Sequence, residues 1–244
     1  MDILQTYKNF RIGSLSALIL AGGSGTRMGS EIPKQHLPIL GVPVIVRTLL
    51  AFEHTPCVGE IIVAIREGEE ELYLEYKEKY QITKLQKTVV GGVTRTESAF
   101  RAMEAASPKA DLIAIHDGAR CLVTREMIEA VAFSAVRHKA ATAAAPVTDT
   151  IAVVTKDGKT LTENQPDRST LMALQTPQIF HADLYRAISY SAKRDGFAGT
   201  DDTSLAGHYG FACQTVNTGV NNLKITTKED LLRAEILIAS EVEA

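Results

Sequence analysis

The sequence predicts an α/β fold: a Rossmann-like, mostly parallel sheet with helices on both faces and a projecting β-arm. Three observations carry this. Short apolar runs alternate with longer helical stretches from Leu15 to Val147, the pattern of repeated strand–helix units. Glycine-rich or charged turns follow those runs at Gly22, Gly91 and His116. That places the chemically suggestive groups together at the carboxyl ends of the strands, where such sheets bind ligands. From Asp149 to Thr170 the alternation stops, and β-branched residues flank Asp157-Gly158, a hairpin turn signal.

In order, Leu15 to Leu20 is an apolar run ending abruptly in glycines and reads as a buried strand. Val42 to Phe52 is apolar with little polar face and reads as a helix beneath the sheet. Glu60 to Ile65 is a second strand, and Glu69 to Tyr80 a helix with a charged, solvated face. Thr88 to Val90 is a third strand ending in Gly91-Gly92. Thr94-Arg95-Thr96-Glu97 is a capping box opening a helix to Ala106. Asp111 to Ile115 is a fourth strand, ending at His116-Asp117. Thr124 caps a helix to about Lys139, and Ala141 to Val147 is a strand of small residues. After the arm, Thr176-Pro177-Gln178 returns the chain to the body. Ala182 to Arg194 is a helix, and Thr200 to Ala206 a short one capped by Thr200 or Asp201. Cys213 to Val216 is a strand, and Thr227 with Asp230 caps a terminal amphipathic helix to about Glu241. The expected organisation is one domain over residues 14–241, an arm at about 148–171 and a variable extension over residues 1–13.

The 244 residues are 45% hydrophobic, enough for a sizeable core, and the net charge is −3. There is no global basic field of the kind nucleic-acid binders use, so cations for a polyanionic ligand must be concentrated locally. Cys57, Cys121 and Cys213 are odd in number, scattered and form no C-x-x-C pair. That argues against a disulfide framework or a zinc site and for a reducing, cytoplasmic setting. No apolar run approaches the roughly 18–20 residues of a membrane-spanning helix, and Met1 to Gly13 does not read as a signal peptide.

The first loop carries the densest chemistry. Gly22, Gly23 and Gly25 let a ligand approach the main chain, and Arg27 and Lys34 put two cations on the same loop. Pro33 and Pro38 interrupt any single helix across it. Backbone N–H groups with fixed cations suit a polyphosphate. Two familiar phosphate loops do not fit. Met28 stands where a dinucleotide fingerprint needs its third glycine, and no G-x-x-x-x-G-K-S/T is present.

The string LAGGSGTRM followed by PKQ resembles the signature loop of the sugar-nucleotidyltransferase-like fold, and PKQ its cytidylyltransferase branch. GGVTRTES, HDGAR, APVTDT, DRSTLMALQTPQIF, TDD and NNLKIT extend the resemblance from about Ser14 to Ile238. Together these strings resemble the 2-C-methyl-D-erythritol 4-phosphate cytidylyltransferase family of non-mevalonate isoprenoid biosynthesis. The resemblance implies CTP as cytidylyl donor, a divalent metal such as Mg²⁺, and a homodimer with exchanged arms. It implies neither a nucleic-acid nor a membrane partner.

The same resemblance assigns roles. Arg27 and Lys34 match cations that bind the triphosphate and stabilise the transition state; Ala21, Gly22, Gly23 and Gly25 match the loop around it. Gly91, Gly92, Val93 and Ser98 match the cytosine-reading segment, although Gly-Gly before a capped helix is also ordinary turn chemistry. Arg95 either reaches the phosphates or is a first-turn surface residue. Asp117 and Gly118 match the nucleotide site near ribose and metal, with Asp117 the metal candidate. Thr150, Arg168 and Thr176 match the acceptor-phosphate site, Arg120 is a further substrate-binding candidate, and Lys224 matches a second positioning cation that also binds substrate. Arg27, Lys34, Arg168 and Lys224 form the expected catalytic set. Val93 and Asn221 stand where acids are common in the family, Gly118 where alanine is usual, and Cys121 where proline is usual.

His116, His181 and the cysteines form no triad-like pattern, so a direct in-line displacement is expected. Two alternatives stay open at this point. Leu20-Ala21-Gly22-Gly23 resembles the ribitol-5-phosphate cytidylyltransferases, which make CDP-ribitol, whereas DRSTLMALQTPQIF resembles the methylerythritol phosphate enzymes. The more remote alternative is a non-catalytic nucleotide-binding module.

Overall fold

The computed structural model describes residues 14–23, 33–162 and 165–242. In chain order the strands are β1 (Leu15–Leu20), β2 (Pro38–Ile39), β3 (Val42–Pro43), β4 (Val58–Ile65), β5 (Leu85–Val90), β6 (Leu112–Asp117), β7 (Ala140–Pro146), β8 (Met172–His181) and β9 (Gln214–Asn217). The helices are α1 (Val44–Glu53), α2 (Glu70–Lys79), α3 (Arg95–Ala105), α4 (Arg125–His138), α5 (Ala182–Asp195), α6 (Asp202–His208) and α7 (Lys228–Val242). Among the described residues, seven strands form one sheet in the order β5-β4-β1-β6-β8-β7-β9. Only β8 runs antiparallel to its neighbours, so the mostly parallel sheet expected from the sequence is the one observed.

β1 sits between β4 and β6, parallel to both. Covered on both faces, it can be apolar throughout instead of alternating with polar residues. Its period of two still sorts its side chains. Leu15, Ala17 and Ile19 join a core with Leu49 and Phe52 of α1, Tyr73 of α2 and Val131 of α4. Leu18 joins the opposite core with Phe100 of α3, Tyr185 of α5 and Leu205 of α6. Truncating a fully buried position such as Leu18 to alanine costs about 2–5 kcal/mol. The alanines of β7 have a related logic: Ala141 and Ala143 pack with Ala132 and Ala135 of α4, and small residues on both elements let helix and sheet approach closely.

Two local expectations change and a third is decided. The helix expected from Val42 begins at Val44, because Val42-Pro43 pairs with Pro38-Ile39 as a small antiparallel hairpin. Its two-residue turn, Leu40-Gly41, has positive φ at both positions, which suits a tight hairpin. Thr94 caps α3 as expected, accepting from the Glu97 N–H. The Glu97 carboxylate instead accepts from Val93 N–H, one residue before the cap. At α6 the capping residue is Asp201, in a reciprocal box with Ser204.

The larger difference is β8. The sequence reading returned the chain to the body at Thr176-Pro177-Gln178 without a strand; the structure inserts ten residues between β6 and β7. A proline and buried polar side chains hid it, since both argue against a central strand. The β7–β8 register shifts between Thr142 and Ala144, which pair with Gln178 and Leu174, so the irregular stretch of ladder accommodates Pro177. The buried glutamines are satisfied. Gln175 bonds Gly219 O and Thr218 Oγ1, and Gln178 bonds Asp201 Oδ2 and the Asp202 N–H. A polar residue is tolerated inside when its hydrogen bonds are made.

The arm has the turn expected at Asp157-Gly158: Gly158 N–H donates to Thr155 O at 2.8 Å and Gly158 has φ +72°. Among the described residues its ladder is a single antiparallel bridge between Val154 and Leu161. A two-stranded ribbon with no layer against it is marginal in water. Ile151, Val153, Val154 and Leu161 are all exposed.

Candidate active site

The carboxyl ends of β1, β5 and β6 open onto a cavity of about 510 Å³. The turn leaving β1 forms one wall. Ala21 N–H is held by Ala64 O at 2.8 Å, Gln35 Nε2 donates to Ala21 O at 2.8 Å, and Arg66 Nη2 donates to Gly23 O at 2.5 Å. Lys34 lines the cavity, and its Nζ donates to Ile225 O at 2.7 Å. Gly25 and Arg27, both expected at the site, lie outside the described residues. Asp117, with Lys224 and Arg95, lies at the cavity with the Gly92–Arg95 segment.

Asp117, the last residue of β6, is the one acid lining the cavity among the described residues. Its Oδ2 lies 2.8 Å from Lys224 Nζ and 3.7 Å from Arg120 Nε, and its Oδ1 lies 3.5 Å from Arg95 Nε. Burial works to raise its pKa, but Lys224 and Arg95 outweigh burial and hold the carboxyl well below the usual carboxylate range. Arg95 is tied further in: its Nη1 lies 2.6 Å from Asp202 Oδ2, and Tyr185 OH donates to Asp202 Oδ1 at 2.6 Å. Burial lowers the Arg95 pKa, yet Asp202 and Asp117 overcome it and raise the value. Of the two readings for Arg95, the surface one is excluded. Arg95 Nη2 and Arg120 Nε are buried without a hydrogen-bond partner. Cation charge is thus concentrated at one strand edge of a chain whose net charge is −3.

A directional hydrogen-bond chain supports this edge from beneath. His116 Nε2 is 3.2 Å from Arg120 O, which can only accept, so Nε2 is the donor. Burial pushes the His116 pKa down to about 3, leaving a neutral ring whose Nδ1 accepts. Thr176 Oγ1, 3.0 Å from Nδ1, is therefore the donor there, and it accepts the Asp117 N–H at 3.0 Å. Asn222 Nδ2 donates to Thr176 O at 2.8 Å, and Arg120 Nη1 donates to Asn222 O at 2.7 Å. Thr176 was expected to contact the acceptor phosphate. In the structure its hydroxyl is buried, with its one proton directed to His116 Nδ1 and its oxygen accepting the Asp117 N–H.

The base-reading candidates meet in one turn. Gly91 N–H bonds Ile65 O at 2.8 Å, Gly92 N–H bonds Ser98 Oγ at 3.0 Å, and Val93 N–H bonds Glu97 Oε2 at 2.9 Å. Gly118 N–H bonds Leu20 O at 2.9 Å, joining the ends of β1 and β6, and a side chain there would press on Ile45. Thr150 and Arg168 are exposed at the base of the arm and do not line the cavity. Arg168 Nη1 donates to Thr148 O at 3.0 Å, so the outgoing and returning ends of the arm are joined there.

Sequence reasoning missed four supporting residues: Gln35, Asp202, Tyr185 and Asn222. PKQ, TDD and NNLKIT contained three of them, but only partner geometry separates a site-building side chain from a surface one. Tyr185 had no signal beyond its place on an apolar helix face. Among the described residues, no cluster of three or more His, Cys, Asp or Glu side chains could hold a metal by itself. No helix there is long and apolar enough to cross a membrane, and the three cysteines are free.

Comparison with known proteins agrees with this geometry. Residues 15–240 match the family model for 2-C-methyl-D-erythritol 4-phosphate cytidylyltransferase. The protein of that name from Symbiobacterium thermophilum is 39% identical over 227 residues, spanning 93% of this chain and 94% of the relative. Its counterpart from Caldanaerobacter subterraneus is 39% identical, spanning 92% of this chain and 99% of the relative. The crystal structure of 4-diphosphocytidyl-2C-methyl-D-erythritol synthase from Anaerococcus prevotii superposes with a TM-score of 0.79 at 28% identity, covering 92% of this chain and 98% of that one. The Thermus thermophilus 2-C-methyl-D-erythritol 4-phosphate cytidylyltransferase gives 0.74 at 31% identity, covering 91% and 97%. A sheet of this topology, a cation-rich cleft at its strand ends and matches spanning nearly the whole chain have one reading: the chain belongs to the 2-C-methyl-D-erythritol 4-phosphate cytidylyltransferase family.

Proposed function

We propose that this chain is a nucleotidyltransferase that moves the cytidylyl group of CTP onto 2-C-methyl-D-erythritol 4-phosphate. The products are 4-diphosphocytidyl-2-C-methyl-D-erythritol and pyrophosphate, a step of isoprenoid biosynthesis by the non-mevalonate route. The observation that carries the reading is the Asp117–Lys224 pair at 2.8 Å in a cleft walled by two glycine turns, in a chain of this family.

In the reaction, an anionic phosphate oxygen of the acceptor attacks the α-phosphorus of CTP. The new P–O bond forms as the bond to the β-phosphate oxygen breaks, and pyrophosphate carries away the electron pair. No side-chain nucleophile is required. The protein's task is to hold two repelling anions in line and stabilise the charge on the crowded phosphorus. Arg27 and Lys34 act on the triphosphate, with Ala21, Gly22, Gly23 and Gly25 letting it approach the main chain. Gly91, Gly92, Val93 and Ser98 receive the base, and Asp117 and Gly118 the ribose side. Arg95 fixes Asp117 and Asp202. Lys224 and Arg120 serve the acceptor phosphate, together with Thr150 and Arg168, and Thr176 supports them through Asp117.

A divalent metal such as Mg²⁺ belongs to the proposal. Mg²⁺ binds through one or two carboxylates plus substrate phosphates. Among the described residues, Asp117 is the single lining acid and its Oδ1 is engaged only by the 3.5 Å contact with Arg95, so the donor set suits a metal carried in by the nucleotide. When bound, the metal neutralises phosphate charge. The exposed apolar residues of the arm and its separation from the cleft support a homodimer in which each arm completes the neighbour's acceptor site. Free, largely buried cysteines suit a reducing, cytoplasmic setting.

The test is turnover of CTP with 2-C-methyl-D-erythritol 4-phosphate, following pyrophosphate and identifying the diphosphocytidyl product. Ribitol 5-phosphate is the comparison acceptor. A higher kcat/KM with ribitol 5-phosphate would overturn the acceptor assignment, and no pyrophosphate from either would overturn the activity.

A further inference from the structure

The Gly91–Val93 turn is held from behind by two α3 side chains that do not line the cavity. Glu97 Oε2 accepts the Val93 N–H at 2.9 Å, and Glu97 Oε1 accepts from Arg101 Nη2 at 2.5 Å. Arg101 Nη1 donates to both Val90 O and Gly91 O, at 3.2 Å each. Glu97 folds directly over Gly92: a Cβ on that glycine would lie 2.3 Å from Glu97 Cδ. The Val93 side chain is 97% exposed and braces nothing.

We propose that Glu97 and Arg101 are a positioning pair that makes this turn selective for a 4-aminopyrimidine nucleotide. The inference rests on the reading of Gly91–Ser98 as the base-binding segment. A 4-amino and a 4-oxo pyrimidine present opposite hydrogen-bonding groups at the same place, so they are told apart only if the receiving backbone groups keep their orientation. In this turn the carbonyls of Val90 and Gly91 and the N–H of Val93 take their orientation from one two-residue clamp. Both clamp residues project from the first turns of α3, which Thr94 caps, so the clamp is anchored in a helix rather than a loop. A rigid reader loses little freedom on binding, and preorganisation of this kind appears as affinity and selectivity rather than as chemical rate.

The experiment compares wild type with Glu97→Ala, Arg101→Met and the double variant. Each is titrated with CTP and with UTP, and assayed for turnover at saturating acceptor. Each single change is expected to weaken CTP binding about 3- to 10-fold, the worth of one net hydrogen bond. CTP-over-UTP preference should fall by a similar factor, while kcat at saturating CTP stays within about twofold. The double variant should lose no more than the worse single variant, because the two side chains act as one unit. Glu97→Gln, which keeps an oxygen for Val93 N–H, should retain more preference than Glu97→Ala. Unchanged preference in both single variants, or a lowered melting temperature with preference intact, overturns the proposal. Equal binding of CTP and UTP by wild type also overturns it. A wild type that prefers CTP but makes no product overturns the proposed reaction instead, and the clamp is then decided by titration alone.

Discussion

Lys224 Nζ lies 2.8 Å from Asp117 Oδ2, across 107 residues of chain. The contact joins the end of β6 to the segment before α7. The backbone around it closes the same way: Arg120 Nη1 donates to Asn222 O, and Asn222 Nδ2 to Thr176 O. Three stretches distant in sequence are therefore fixed at one strand edge.

Removing charge at this edge should be felt in both stability and function. Asp117→Asn leaves Lys224, Arg95 and Arg120 without their shared counter-charge. The cost is expected to be about 1–3 kcal/mol, below that of breaking a fully buried pair, because the Lys224 side chain is 41% exposed. Chemical denaturation measures it. In a Mg²⁺ titration the variant should use CTP less well; an unchanged titration would leave Asp117 a purely structural role.

The loop cations should act on rate. Arg27→Ala and Lys34→Ala are each expected to lower kcat by roughly 100-fold, as when one preorganised transition-state donor is lost. Lys34 also ties its loop to Ile225 O at 2.7 Å, so its variant should show a drop in melting temperature as well. Near-normal turnover in either variant would remove that residue from the catalytic set.

His116 should give the fold an acid sensitivity. Its pKa falls from 6.5 to about 3 on burial. Between those values the unfolded chain binds the extra proton, so stability is full above the upper value and declines as pH falls toward the lower one. One proton contributes at most about 1.4 kcal/mol per pH unit. Asp117 contributes with a different window: its depressed pKa supplies stability present above 3.8 and lost at lower pH. Glu97, Glu126 and Glu229, lowered from 4.5, add to the slope as pH approaches that value, so unfolding free energies between about pH 7 and pH 5.5 report chiefly the histidine. His116→Gln should flatten the slope there by up to one proton, and an unchanged slope would contradict a neutral buried ring.

The proposed sharing of the acceptor site between two copies predicts complementation. Chains with Arg168→Ala alone, or Lys224→Ala alone, should be inactive while remaining folded. A co-expressed heterodimer of the two should carry one intact site of two, and so about half the wild-type activity per dimer. A verified heterodimer without recovery, or a fully active monomer, would return the arm to an ordinary surface hairpin.

Apart from β8 and the β2–β3 hairpin, the order of strands and helices was legible in the sequence, because its signals are local. Apolar runs such as Leu15–Leu20, glycines at strand ends, and N-caps at Thr94 and Thr124 depend on neighbours within a few residues. The placement of Gly22, the Gly91–Val93 turn and Asp117 at one sheet edge followed from those same signals. Partnership was a different matter. Whether Arg95 meets solvent or Asp202, whether the Thr176 hydroxyl faces a ligand or His116, and whether Gln175 and Gln178 are surface or central-strand residues all depend on elements that are remote in sequence. Periodicity reports which face a residue occupies, not what waits there. A polar side chain becomes stable inside only when its hydrogen-bonding partner arrives, and that partner is delivered by tertiary register.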